Sequence, residues 1–182
     1  MTENKRALVK LLHIKTELDF YAENGYIDRG IFRYLIDTYH CIVNDFCVVK
    51  GKNKGDANWK LRKWADTNTT TVSIGSQSLL AVNRAKAENE TTLDHLIPIK
   101  HIINKLLELE DNSLEAISKV LDHSVFLITI TSKEDKKLNS MGLRSKMPKG
   151  FGDADDILYQ NPLARYIVAG IEVSEDFVDS FT

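Results

Sequence analysis

Asp94 and His95 stand side by side in the run Thr91-Thr-Leu-Asp-His-Leu-Ile-Pro98. A carboxylate next to an imidazole can divide two jobs: the anionic oxygen ligates a cation, and the neutral ring accepts a proton from water. The apolar pair followed by proline predicts a short strand that ends in a kink. Neighbours on a regular strand point to opposite faces, so both side chains reach one cleft only where the strand end is distorted. Further along, Ser132 is a good N-cap and places Glu134 and Asp135 in the first turn of a helix over 133–139. The helix dipole favours carboxylates there, which is a structural reason for both acids independent of any chemistry. Of the remaining histidines, His101 falls on a helix as a satisfied or exposed side chain, His123 is an alternative ligand, and His13 and His40 sit in scaffold helices.

Cations cluster in two places. Lys52, Lys54, Lys60 and Lys63 lie in a glycine-broken segment that also carries Trp59 and Trp64, and Arg144, Lys146 and Lys149 lie in a turn-rich segment near Pro148. Flexible glycines, cations and stacking rings suit a nucleic-acid contact loop, and an arginine fork suits a phosphate. The plainer alternative makes the tryptophans core and the lysines a solvated face.

The elements that must position these residues are mostly helical. Apolar residues from Leu8 through Leu11, Leu12, Ile14 and Leu18 to Phe20–Tyr21 recur at helical spacing until Asn24-Gly25 stops the run. Asp28 can cap a second helix carrying Ile31, Leu35, Tyr39, Ile42 and Phe46. A polar tract at 67–71 reads as loop and 76–90 as helix. Helices over 99–109 and 113–121 then precede Val125–Thr131, the best strand of the chain by its β-branched content. The tail from Asp153 reads as a helix near Arg165-Tyr166 and a closing strand or turn at 171–173. The expectation is one domain over 1–182. In it, 1–66 is a helical scaffold with a basic loop, 67–90 a linker and helix, 91–150 the strand-bearing part and 151–182 an acidic closing segment.

Asp94-His95-Leu-Ile-Pro98, followed by Ile128-Thr-Ile-Thr131-Ser-Lys-Glu134-Asp135-Lys-Lys-Leu138, resembles the strand–strand–helix metal finger of the HNH endonucleases. In that family an Asp or His followed by His lies on the first strand. The second strand enters a helix of the form Thr-x-Glu-Glu-His/Asn-x-x-Leu. The resemblance implies an α+β, mostly helical fold: a helical N-terminal scaffold plus a ββα-metal-like finger with a helical insert. It also implies Asp94 and Asp135 as metal ligands and His95 as the general base in hydrolysis of DNA phosphodiester bonds. Asp135 stands where the family usually has His or Asn, and the 99–121 helices lengthen the finger. The brace residue between the strands has Asn104 and Asn112 as candidates. Magnesium or manganese suits oxygen ligation, while imidazole also tolerates zinc or nickel.

Composition bounds the function classes. The 182 residues carry 24 Lys+Arg against 26 Asp+Glu, a net charge of −2, with 43% hydrophobic residues, so neither a disordered nor a fibrous chain is expected. The N-terminus lacks the apolar core and cleavage site of a secretory signal, and no apolar run approaches membrane-span length. Cys41 and Cys47 diverge by about 240° around a helix and do not pair, which suits a reducing cytoplasm. Residues 132–152 hold six basic against two acidic groups, while 153–182 hold one against seven. The resemblance implies DNA as the partner, and no membrane is expected. A homodimer and a protein partner stay open. The alternatives to a nuclease are an inactive DNA-binding or regulatory relative, or a small phage or mobile-element inhibitor module.

Overall fold

The computed structural model describes residues 3–43, 90–124 and 127–173. At the start of the chain, Asn24-Gly25 ends helix α1 (Glu3–Asn24) as its residue types predict. Gly25 adopts a positive φ of 66°, and its N–H reaches back to the Tyr21 carbonyl at 2.7 Å. Asp28 caps helix α2 (Arg29–Val43): its Oδ1 accepts from the backbone N–H of Gly30 at 2.8 Å and of Ile31 at 3.0 Å. The buried stripe is Leu11, Ile14 and Leu18 on α1 and Phe32, Leu35, Ile36 and Tyr39 on α2. Leu8, Leu12 and Ile31, expected on the apolar faces, flank those stripes and are about half exposed.

Residues 99–124 form helices α3 (Ile99–Leu107) and α4 (Leu114–Ser124), which pack with α1 and α2 in one compact unit. Ile102, Ile103, Leu106, Ile117 and Leu121 complete its core. The Asp122 carboxylate accepts from Tyr39 Oη and from Ser118 Oγ, both at 2.9 Å. Burial pushes the Tyr39 hydroxyl above its ordinary range, so it serves as a neutral donor. The helices that interrupt the finger in sequence thus belong, by packing, with the N-terminal hairpin. Asn104 and Asn112 go with them: Asn104 accepts from Arg29 and Asn112 donates to Asp19, each at 3.4 Å.

A second compact unit combines 90–98 with 127–173. Strands β1 (Thr91–His95) and β2 (Leu127–Thr131) pair antiparallel, with Thr91 opposite Thr131 and His95 opposite Leu127. β2 runs directly into helix α5 (Ser132–Ser140), and Thr131, not Ser132, is the N-cap. Thr131 Oγ1 accepts from the Glu134 N–H at 3.1 Å while Glu134 Oε2 accepts from the Thr131 N–H at 2.7 Å. The shift has a physical cause. Thr131 already has the extended backbone a cap needs, and Glu134 lies three residues on and closes a capping box. From Ser132 the third residue is Asp135, one methylene shorter.

α5 ends at Gly142 (φ 71°), where the Leu143 N–H bonds to the Leu138 carbonyl at 2.9 Å and Gly142 N–H to the Asn139 carbonyl at 3.0 Å. That turn buries Leu143. A 3₁₀ turn (Lys149–Gly152) and a short helix α6 (Ala164–Ala169) close the unit over Leu96, Ile128, Ile130, Leu138, Phe151 and Tyr166. The chain is α+β and mostly helical, with a small antiparallel sheet. Among the described residues no helix is long and apolar enough to cross a membrane.

Candidate active site

Asp94 and His95 are the last two residues of β1, and α5 packs against both strands. Asp94 faces a cation from its own unit. Arg165, on α6, is completely buried, and its Nη2 donates to Asp94 Oδ2 at 2.7 Å. Tyr166 Oη donates to the same oxygen at 2.6 Å. The rest of the guanidinium is spent on backbone. Nε donates to the Leu96 carbonyl at 3.0 Å, Nη1 to the Leu143 carbonyl at 2.8 Å, and Nη2 also to the His95 carbonyl. Nη2 lies a further 3.3 Å from Tyr166 Oη.

This arrangement follows from the cost of burying charge. An isolated guanidinium in an apolar interior is expensive, and it is tolerated where an anion and carbonyl oxygens take its N–H groups. Asp94 is the anion, and its side chain keeps 19% of its surface exposed. Oδ1 of Asp94 has no hydrogen-bond partner among the described residues. Tyr166 is held neutral. Burial pushes its hydroxyl well above the ordinary tyrosine range, the negative charge of Asp94 adds to that, and Arg165 only partly offsets it. The field of Glu134 also reaches Tyr166, which puts the first turn of α5 near this cluster.

The two acids at the start of α5 have different employment. Glu134 closes the capping box, whereas Asp135 is half-buried and only loosely paired, its Oδ1 3.9 Å from Arg144 Nε. Arg144, Lys146 and Lys149 are exposed, as are Lys133 and Lys136 of α5. His95 is half-buried. His101 is half-buried on α3, and burial lowers its pKa. His123 is exposed on α4, its Nδ1 2.8 Å from the Lys119 carbonyl oxygen. Both belong to the helical unit. Lys52, Lys54, Lys60 and Lys63, with Trp59 and Trp64, lie outside the described residues.

The donor set can be tested against a metal. Among the described residues no three His, Cys, Asp or Glu side chains converge as a metal cage. Tetrahedral zinc takes three or four protein ligands. Magnesium is held by one or two carboxylates with water and substrate phosphate completing its shell. Asp94 suits that role: one oxygen is fixed by hydrogen bonds, as the carboxylates that ligate metals generally are, and the other has no hydrogen-bond partner among the described residues. Asp135 is the second oxygen donor with no structural employment beyond a long ion pair. Arg165 and Tyr166 were not singled out as site residues by the sequence reading. The signal available for them is a lone cation in the apolar run Leu163-Ala-Arg-Tyr-Ile-Val-Ala169.

Comparison of the chain with family models, with curated proteins and with solved structures finds no match.

Proposed function

We propose that the chain is a metal-dependent nuclease of the HNH type that hydrolyses DNA phosphodiester bonds, acting in the reducing cytoplasm. The observation that supports this reading is one continuous unit, β1 antiparallel to β2 and β2 running without a loop into α5. It carries Asp94 and His95 at the end of β1 and Asp135 in the first turn of α5. In the reading, the His95 imidazole takes a proton from the attacking water, the water oxygen bonds to phosphorus, and the bond to the leaving oxygen breaks. Asp94 through Oδ1, together with Asp135, would hold a magnesium or manganese ion. Such an ion neutralises charge on the phosphate and the leaving oxygen. Arg144, Lys146 and Lys149, exposed beside α5, would bind the flanking phosphates.

Plasmid nicking tests this. The wild type should convert supercoiled DNA to open circles only with Mn²⁺ or Mg²⁺. His95→Ala should lose about 10²–10⁴-fold in rate, while calorimetry shows Mn²⁺ affinity nearly intact. Absence of nicking by the wild type at every metal concentration would remove the enzymatic reading, and equal rates for His95→Ala would remove the base. One observation favours a second reading, a DNA-binding or regulatory protein on the same fold: Arg165 already neutralises Asp94. That reading predicts salt-dependent DNA binding with no cleavage.

A further inference from the structure

We propose that Arg165 and Tyr166 are positioning residues that fix the orientation of the Asp94 carboxylate, so that its unbonded oxygen is held in one place for a cation, a role that rests on the nuclease reading. An aspartate carboxylate turns easily about χ2, which swings the plane of its two equivalent oxygens. Here one oxygen, Oδ2, takes a guanidinium N–H at 2.7 Å and a phenolic O–H at 2.6 Å, so turning the plane away from these donors breaks two bonds at once. Oδ1, left without a partner among the described residues, is the oxygen available to a cation.

The same guanidinium grips the carbonyls of His95 and Leu96, so the strand end that carries the imidazole is fixed by the side chain that fixes the carboxylate. Its third carbonyl, that of Leu143, opens the segment bearing Arg144. α6 is in turn tied to α5 by Lys137 Nζ, which donates to the Gly170 carbonyl at 3.3 Å. One buried cation thereby sets the relative placement of general base, first ligand oxygen and basic segment. A lysine cannot replace it, because these acceptors lie around a planar fork that a single ammonium does not match.

The test uses the full chain, Tyr166→Phe and Arg165→Lys, each with and without Asp94→Asn. The readouts are circular dichroism, Mn²⁺ calorimetry, and nicking rates over ranges of metal and DNA concentration. Tyr166→Phe keeps the ring and removes one of the two bonds to Oδ2. It should weaken Mn²⁺ binding about 10-fold or more, the scale seen when groups that orient metal ligands are removed. KM for DNA should stay put, and kcat should return at excess Mn²⁺. With Asp94→Asn present, neither change should weaken Mn²⁺ binding further. If folded Tyr166→Phe and Arg165→Lys bind Mn²⁺ as the wild type does, or if their losses add to that of Asp94→Asn, the positioning role is overturned while the nuclease reading stands. If neither variant folds, the pair is a brace of the fold and the inference is likewise overturned. A wild type that neither binds Mn²⁺ nor nicks DNA overturns both.

Discussion

Arg165 is fully buried, and its N–H groups reach one carboxylate and three backbone carbonyls. Removing a partner from such a pair costs more than the pair itself contributes, because the charge left behind has lost both water and anion. Asp94→Ala should therefore destabilise the chain by about 3–5 kcal/mol, whereas Asp94→Asn, which keeps an oxygen acceptor, should cost less. Urea unfolding of the two variants measures the difference, and an Asp94→Ala midpoint equal to that of the wild type would mean the pair is no anchor. Asp94 thus has a structural employment that its motif does not announce. Asp135 carries no comparable burden, only a long ion pair to Arg144, so its replacement reports on chemistry with less disturbance of the fold. The sequence displays Asp94 and His95 as a pair because they are adjacent. It hides Arg165 because the bonds that define its role span about 70 residues, and an arginine on a six-residue helix ordinarily points to water.

The strand-to-helix junction is the element on which the sheet-bearing unit depends. Thr131 closes β2 opposite Thr91 and caps α5 through a reciprocal pair of bonds with Glu134. Thr131→Ala should cost about 0.5–2 kcal/mol, the usual range for losing an N-cap, with Glu134→Ala losing the smaller reciprocal part. Thermal unfolding of the two variants checks the order; equal midpoints for Thr131→Ala and the wild type would remove the cap from the account. Local signals of this kind were readable in the chain. Asn24-Gly25 and Asp28 bound the first two helices where their side chains predict, and the 127–131 strand follows from its β-branched run. The misplaced apolar residues have one cause. Spacing identifies a helical stripe but not its width, so Leu8, Leu12 and Ile31 were drawn into faces that stop at Leu11, Ile14 and Phe32. Packing partners are equally invisible to spacing. The helices at 99–124 interrupt the finger in sequence, yet they bury Ile102, Leu106, Ile117 and Leu121 with α1 and α2.

For the molecule as a whole, the nuclease reading cannot draw its attraction to DNA from net charge, which is −2. That attraction has to come from local fields, which screening makes decisive: at physiological salt the Debye length is about 8 Å, so a phosphate senses the patch it touches and little of the distant acids. In the sheet-bearing unit that patch is Arg144, Lys146 and Lys149, all exposed, with Lys133 and Lys136 of α5 in the same stretch of chain. The chain turns acidic just beyond it, with Asp153 and Asp155 exposed. Each phosphate contact releases condensed counterions and contributes about 0.9 to the slope of log K against log salt on duplex DNA. Replacing Arg144, Lys146 and Lys149 together by alanine should therefore flatten that slope by roughly 2–3 units if all three touch phosphates, and weaken binding similarly across unrelated sequences. The parallel replacement of Lys52, Lys54, Lys60 and Lys63 measures the other basic zone independently. Lys119→Ala, an exposed cation of the helical unit, is the control that should leave the slope alone. Fluorescence anisotropy from about 50 to 200 mM salt covers the range in which such slopes are steep. An unchanged slope for the triple variant would reduce Arg144, Lys146 and Lys149 to a solvated face.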